Sequence, residues 1–268
     1  MKVRSFTKSQ FHKALTSTAI PTGSVVMVHS ALIALGRIEG RPIDAIPEHI
    51  FEVLREHFGP KTTIVVPTFN FDFCQGMEFN RQYTPAQNMG AFSEYLRRRP
   101  EARRSPHPMQ SLAAVGPLAK EITERDTDGA FDIGSSFDAL IAVDAHLLML
   151  GCGINAVSLA HWAEQHVGVP YRYWKEFCAP YRDGAWVGRR TYRMYVRDLS
   201  LDPSVELFKI GHILRRRSEL RRFSLGAGTL ESCGVRHFVS AAVHLLQQDR
   251  RALIRPTSPP TGRYDASA

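Results

Sequence analysis

The sequence predicts an α/β fold, a single domain with a central mixed β-sheet flanked by helices. Three observations predict it. Short apolar runs of buried-strand length (SVVMVHS at 24–30, TTIVVPTF at 62–69, AHLLMLG at 145–151) alternate with segments of helical periodicity. Beyond residue 170 the pattern turns to half-polar alternation around Asp183-Gly184, the signature of an antiparallel hairpin, so a small antiparallel excursion is expected there. The chain has 268 residues, 44% of them hydrophobic, enough for one sizeable core, and it shows no internal repeat.

Each element has a local reason. Residues 8–18 place Phe11 and Leu15 on one helical face, and 44–58 do the same with Ile46, Ile50, Val53, Leu54 and Phe58. Gly59-Pro60 stops that helix, and TTIVVPTF follows as a strand. Residues 90–99 read as helix. The prolines at 100, 106 and 108 then force RSPHPMQS into an extended path, because a residue before proline avoids the helical basin. Pro117 opens a helix over PLAKEITER, and AHLLMLG is the third apolar strand. Asp202-Pro203 caps a helix over SVELFKIGHILRRR, the short SLGAGTLES segment follows, and 235–248 form a last helix with Phe238, Ala242 and Leu245 on one side. One domain is expected over 1–254, with a disordered tail over 255–268, where PTSPPTGRYDASA is too poor in apolar groups to fold.

Composition removes several functions. No apolar run reaches the roughly 18–20 residues of a membrane span. The opening MKVRSFTKSQFHK lacks a signal-peptide apolar stretch, so a cytoplasmic protein is expected. Cys74, Cys152, Cys178 and Cys233 lie far apart with no C-x-x-C pair, which speaks against a cysteine zinc site or a disulfide framework. The net charge is +8, with arginines clumped at 97–99, 103–104, 215–217 and 221–222. That balance favours anionic partners, phosphorylated metabolites and nucleotide cofactors among them. No helix-turn-helix, zinc-finger or RNP-like pattern accompanies it, so nucleic acid is not expected as a partner.

Three stretches carry chemistry. In HSALIALG (29–36) a buried strand ends at His29-Ser30; free N–H groups of a following helix would face a phosphate or carbonyl, or Ser30 would simply cap it. In RRSPHPMQS (103–111) an extended backbone leaves polar groups free for a ligand, with Arg103, Arg104, Ser105, His107 and Ser111 beside it; the plain alternative is a proline-stiffened surface loop. In SLAHWAEQHV (158–167) a helix starting at Ser158, or a turn earlier at Asn155, places Ser158, His161, Glu164 and Gln165 on one face. That face sits at a strand's carboxyl end, where open α/β sheets bind ligands. A histidine beside a carboxylate is a serviceable general base. Zinc ligation by His161, Glu164 and His166 is the alternative. It lacks the H-E-x-x-H spacing, so no metal is expected.

These pieces, in this order, resemble the aminoglycoside 3-N-acetyltransferase family: HSALIALG with Gly40, TIVVPTF, Met89-Gly90 before AFSEYLRRRP, RSPHPMQSLAAVG, GSSF at 134–137 and LLMLGCGINAVSLAHWAE. The likeness spans roughly residues 20–175 and loosens towards 250. It implies an α/β fold, an acetyl-CoA co-substrate and acylation of an amine. By the resemblance His29, Ser30, Arg104, Ser105, His107 and Ser111 would cradle CoA. His161 would match the family's helix histidine and Glu164 the carboxylate of the acceptor pocket. The chain departs from the family pattern at Ala31, where a second serine is usual, and at Ser158-Leu159-Ala160, where a threonine often precedes the histidine.

The mechanism expected is direct attack of the amine on the thioester. His161 removes the proton, Asp198 steadies His161, and backbone N–H groups near Ser30 or Ser111 hold the oxyanion. A buried Cys152 argues against an acyl-cysteine. A multiply charged cation would be repelled by a +8 chain, so an amino sugar or a nucleotide- or phosphate-linked amine is the expected acceptor, with Asp72 and Glu164 meeting it. An aminoglycoside acceptor is the alternative, and a non-catalytic CoA- or nucleotide-binding protein is the alternative of another class. A homodimer is compatible with all three.

Overall fold

Three segments that read as uninterrupted apolar runs lie side by side at the centre of the molecule. The computed structural model describes residues 5–201 and 204–255, so Asp202-Pro203 and the expected tail beyond Arg255 lie outside the described residues. Its strands are β1 (Ser5–Phe6), β2 (Val25–Ser30), β3 (Arg37–Ile38), β4 (Thr63–Pro67), β5 (Phe79–Asn80), β6 (Arg103–Arg104), β7 (Leu112–Val115), β8 (His146–Leu150), β9 (Arg172–Asp183), β10 (Trp186–Arg197), β11 (Arg221–Leu225) and β12 (Gly228–Gly234). Seven of them form one sheet in the order β11-β12-β8-β2-β4-β7-β6. β2 runs parallel to β4 and β8, while β7 and β12 join from either side in antiparallel register, so the sheet is mixed as expected.

Strands covered on both faces have no polar side, which is why the three runs do not alternate. Direction still alternates along them. Val26 and Val28 enter one core, and Val25 and Met27 the other. Helices supply the two outer layers: α1 (Lys8–Ser17), α2 (Leu32–Leu35), α3 (Ile46–Phe58), α4 (Ala91–Arg97), α5 (Ala119–Thr123), α6 (Ser136–Ala142), α7 (Ala160–Val167), α8 (Phe208–Arg216) and α9 (Val235–Gln248). Phe11, Leu15, Leu54, Phe58, Phe92 and Leu96 of α1, α3 and α4 cover one face. Phe137, Leu140, Ala160, Ala163, Ile210 and Phe238 of α6 to α9 cover the other. α1 begins with a capping box in which the Gln10 amide donates to Thr7 Oγ1 (3.1 Å) and the Thr7 amide donates to Gln10 Oε1 (2.9 Å).

The structure differs from the expectation in three places. The helix expected from residue 204 starts at Phe208, because the amides of Glu206 and Leu207 are taken by Leu253 O and Asn155 Oδ1, and Val205 bridges to Ile254. SLGAGTLES belongs to a hairpin, β11 and β12, that extends the sheet beyond β8. The later hairpin is longer than its alternation suggests: β9 and β10 pair from Arg172↔Arg197 to Asp183↔Trp186, and β5 adds a parallel third strand. This second sheet has its own aromatic core of Phe73, Phe79, Tyr181 and Tyr192.

Because β2, β4 and β8 are parallel, Ser30, Pro67 and Leu150 end at the same edge, and α7 begins there. Gly151 makes that turn at φ +71°, and a Cβ on it would run into the Ala31 carbonyl oxygen. Gly59 is the control, at φ +84° with open space around the same position. Gly59→Ala is expected to cost about 1 kcal/mol in urea unfolding and Gly151→Ala at least about 2 kcal/mol more, the excess measuring the clash beneath the site.

Candidate active site

The chain leaves β8, turns at Gly151, passes a 3-10 turn over Ile154–Ala156, and enters α7. Leu159, Ala160 and Ala163 are buried and anchor the helix against the sheet. That anchoring fixes where the remaining positions point. His161 and Glu164 share the next face, the histidine side chain 30% exposed and the glutamate 0%. Gly168, in the left-handed conformation, then closes the helix by donating to Glu164 O and Gln165 O. The reversal brings Tyr171 and Arg172 back against the same face.

Glu164 is the centre of this cluster. Its Oε2 lies 2.6 Å from His161 Nδ1 and 2.9 Å from Arg172 Nη2, and Tyr171 donates its hydroxyl to Oε1 at 2.9 Å. Burial pulls the carboxyl towards its neutral form. The His161 hydrogen bond, the charge of Arg172 and the Tyr171 hydroxyl outweigh that and hold it below the usual carboxylate range. Burial, followed by the charge of Glu164, pushes the Tyr171 phenol up, so it stays a donor. An ionised Glu164 requires a proton on His161 Nδ1, so the neutral imidazole carries its lone pair on Nε2. Arg172 Nη2 is also 3.0 Å from Nδ1, but two donors face each other there; its hydrogen bond goes to the carboxylate. No described residue bonds Nε2. The ring opens on a cleft of about 490 Å³ lined by Ser158, Phe71, Gln110, Arg172, Tyr195, Arg197 and Leu207, among others.

A helix histidine fixed by a buried carboxylate at a strand's carboxyl end is thus present. The profile described as aminoglycoside 3-N-acetyltransferase matches residues 27–247. The chain belongs to that family. Aminoglycoside N(3)-acetyltransferase VII of Streptomyces paromomycinus is 29% identical, the match covering 90% of this chain and 92% of that protein. The crystal structure of aminoglycoside acetyltransferase AAC(3)-Xa shares the fold at TM-score 0.76 and 24% identity, over 91% of this chain and 93% of its own. The binary structure of AAC-IIIb with CoASH does so at TM-score 0.77 and 20% identity, over 95% and 100%. Like other members, the chain is an acetyl-CoA-dependent N-acetyltransferase.

In this acetyltransferase the remaining candidates fall into distinct places. His29, at the end of β2, is buried; its Nε2 accepts from the Ser158 amide at 3.4 Å, which ties β2 to the entrance of α7. Among the described residues its Nδ1 has no partner, nor has the buried Ser30 Oγ beside it. Burial pushes the His29 imidazole down to about 4. Nor does Ser30 cap a helix, since α2 is a single turn capped at Ala31 with no side-chain bond.

In the 104–111 segment the polar side chains are engaged by other parts of the chain. Arg104 is 7% exposed and spends its guanidinium on Thr68 O (2.5 Å), Thr84 O (2.5 Å) and Ser111 Oγ (3.0 Å). Ser105 Oγ accepts from the Leu112 amide at 2.8 Å, and Ser111 donates to Thr68 O at 2.7 Å. His107 Nδ1 accepts from the Gln110 amide, so its Nε2–H donates to Arg193 O at 3.3 Å. Tyr181 donates to Pro106 O. The two prolines hold an internal strut between the large sheet and the hairpin, and Arg104 stacks on Phe79 at 4.6 Å within it.

Asp198 does not reach His161. It accepts from the Ser200 amide (3.0 Å) and hydroxyl (2.6 Å), and Glu164 occupies the position beside the imidazole that was expected for it. Asp72 is half-buried, and its neighbour Phe71, not Asp72, lines the cleft. His166 leaves the shared face to stack on Trp162 at 3.9 Å and to bond Phe131 O at 2.9 Å. Gln165 turns to Asp132. Among the described residues no group of three His, Cys, Asp or Glu converges on a metal-sized site. Tyr171 and Arg172 were missed from the sequence; the signal for them was the helix-closing Gly168, which predicts a reversal onto α7.

Burial also pushes His107 down to about 4, against about 6.5 for the unfolded imidazole. Between those values the unfolded chain binds more protons than the folded one, so stability is full above about pH 6.5 and is lost as pH falls towards 4. A difference of roughly two and a half pH units at about 1.4 kcal/mol each gives about 3–4 kcal/mol for each of His29 and His107. Urea midpoints across pH 7 to 4 are expected to fall steeply for the wild type and less steeply for His107→Gln.

Proposed function

We propose that the chain transfers the acetyl group of acetyl-CoA to a primary amine of an aminoglycoside-class amino sugar, with His161 as general base. The observation that carries this is the open Nε2 of an imidazole whose Nδ1 is held by a buried, ionised Glu164. At neutral pH an amine is mostly ammonium, and attack needs its lone pair. Nε2 faces the cleft and takes that proton, while Glu164 supports the imidazolium through the Nδ1 hydrogen bond. Acetyl-CoA would supply an activated thioester carbon: the C–S bond breaks as the C–N bond forms, and a second amine proton goes to the departing sulfur, so CoA leaves as the thiol. The unpartnered His29 Nδ1–H and Ser30 Oγ, both at the strand edge where α7 starts, fit polar atoms of that co-substrate. Arg104, Ser105, His107 and Ser111 would then shape the strut beneath it rather than touch it. Transfer is direct. Burial pushes the Cys152 thiol up to about 12, so no thiolate stands near α7 to form an acyl-enzyme.

The acceptor class follows the names of the relatives. A second reading, a phosphate- or nucleotide-linked amine, is favoured by the net charge of +8 and by Arg172 and Arg197 among the residues lining the cleft. Thiol release from acetyl-CoA separates the two, with aminoglycosides, simple amino sugars and nucleotide-linked amines as acceptors. His161→Ala is expected to lower turnover by about 10²–10⁴-fold while calorimetric acetyl-CoA affinity stays unchanged. Tight CoA binding without transfer to any amine would instead identify a non-catalytic binding protein.

A further inference from the structure

We infer that Arg172 is a positioning residue that sets the charge state of the base: it cancels the Glu164 charge felt by His161 and so keeps the imidazole a neutral proton acceptor. The inference rests on the reading of His161 as general base. A carboxylate 2.6 Å from an imidazole has two effects. It places the proton on Nδ1, which a base needs. It also stabilises the imidazolium, which a base must avoid before the amine arrives. A buried Glu164 acting alone would therefore favour the imidazolium.

Arg172 Nη2 sits 2.9 Å from Glu164 Oε2 and 3.0 Å from His161 Nδ1. It touches both members of the pair, and its side chain is only 7% exposed, so water screens it little. The guanidinium is itself tied down, donating through Nη1 to Tyr195 O at 3.0 Å. From the imidazole, the anion and the cation stand at nearly equal distance, and their effects on an added proton oppose one another.

The other groups around the ring leave this balance in place. Tyr171 acts on Glu164 as a neutral donor, and Phe131 meets the ring edge-on at 5.8 Å. Asp132, next to Phe131, is paired with Arg193 and Gln165. His29 lies behind Ser158 and is held neutral by burial. Arg197 also lines the cleft. Among the described residues, Glu164 and Arg172 are the two charged groups in contact with the ring.

The test is an NMR titration of the imidazoles in the full chain, the His161 signal being the one lost in His161→Gln. Arg172→Gln is expected to raise the His161 midpoint by about one pH unit, and Glu164→Gln to lower it. Arg172→Lys, which keeps the charge, should return the midpoint close to wild type. A residue that served only to hold the fold would move neither midpoint in a chosen direction. An Arg172→Gln midpoint equal to or below wild type, with the other histidines unshifted, overturns the inference. A Glu164→Gln midpoint at or above wild type overturns it too, should Arg172→Gln not fold. Where thiol release is measurable, the low-pH limb of kcat/KM should move in the same order. Midpoints that shift as expected in a chain that acetylates no amine would instead count against the catalytic reading alone.

Discussion

A carboxylate with no exposed surface is tolerated only where its surroundings replace the water it lost. Glu164 is that group here, and its requirements organise the site. It needs donors on both oxygens, which Tyr171 and His161 provide, and a cation, which Arg172 provides. Satisfying the carboxylate fixes the imidazole by necessity, because the hydrogen bond that compensates Glu164 also orients His161 and selects its tautomer. The cost of burial and the orientation of the base are one arrangement.

That arrangement depends on the large sheet in a specific way. The parallel trio β2, β4 and β8 delivers three chain ends to one edge. The left-handed Gly151 lets the chain leave β8 close against the Ala31 carbonyl on its way to α7, and the buried alanines of α7 turn its polar face to the cleft. The second sheet has a different task. β9 begins at Arg172 in the site, and the hairpin is pinned to the large sheet by the 104–111 strut through Tyr181 and His107. A segment of arginine, serine and histidine between prolines therefore serves as an internal brace, with its polar groups consumed by neighbours in the fold.

This explains which residues could be read early. His161 and Glu164 were legible because their relation is local: three residues apart on a helix places them on one face whatever the rest of the chain does. Arg104, Ser105, His107 and Ser111 were legible as a polar cluster but not as a brace. Whether a hydroxyl or guanidinium meets a ligand or a backbone carbonyl depends on Thr68 and Thr84, remote positions that no spacing rule connects. Asp198 shows the same limit in reverse, a carboxylate near the right strand whose side chain satisfies itself on Ser200.

By itself the sequence determined the α/β class, the three core strands, most of the helices, the hairpin turn and the histidine–glutamate face, since all of these follow from periodicity and local stereochemistry. The tertiary structure alone decided that β11 and β12 extend the sheet, that the helix after residue 204 waits until Phe208, and that Tyr171 and Arg172 close around Glu164. Those outcomes depend on which distant carbonyls, amides and charges compete for each group. Such competition is settled by packing in three dimensions and leaves no fixed spacing along the chain.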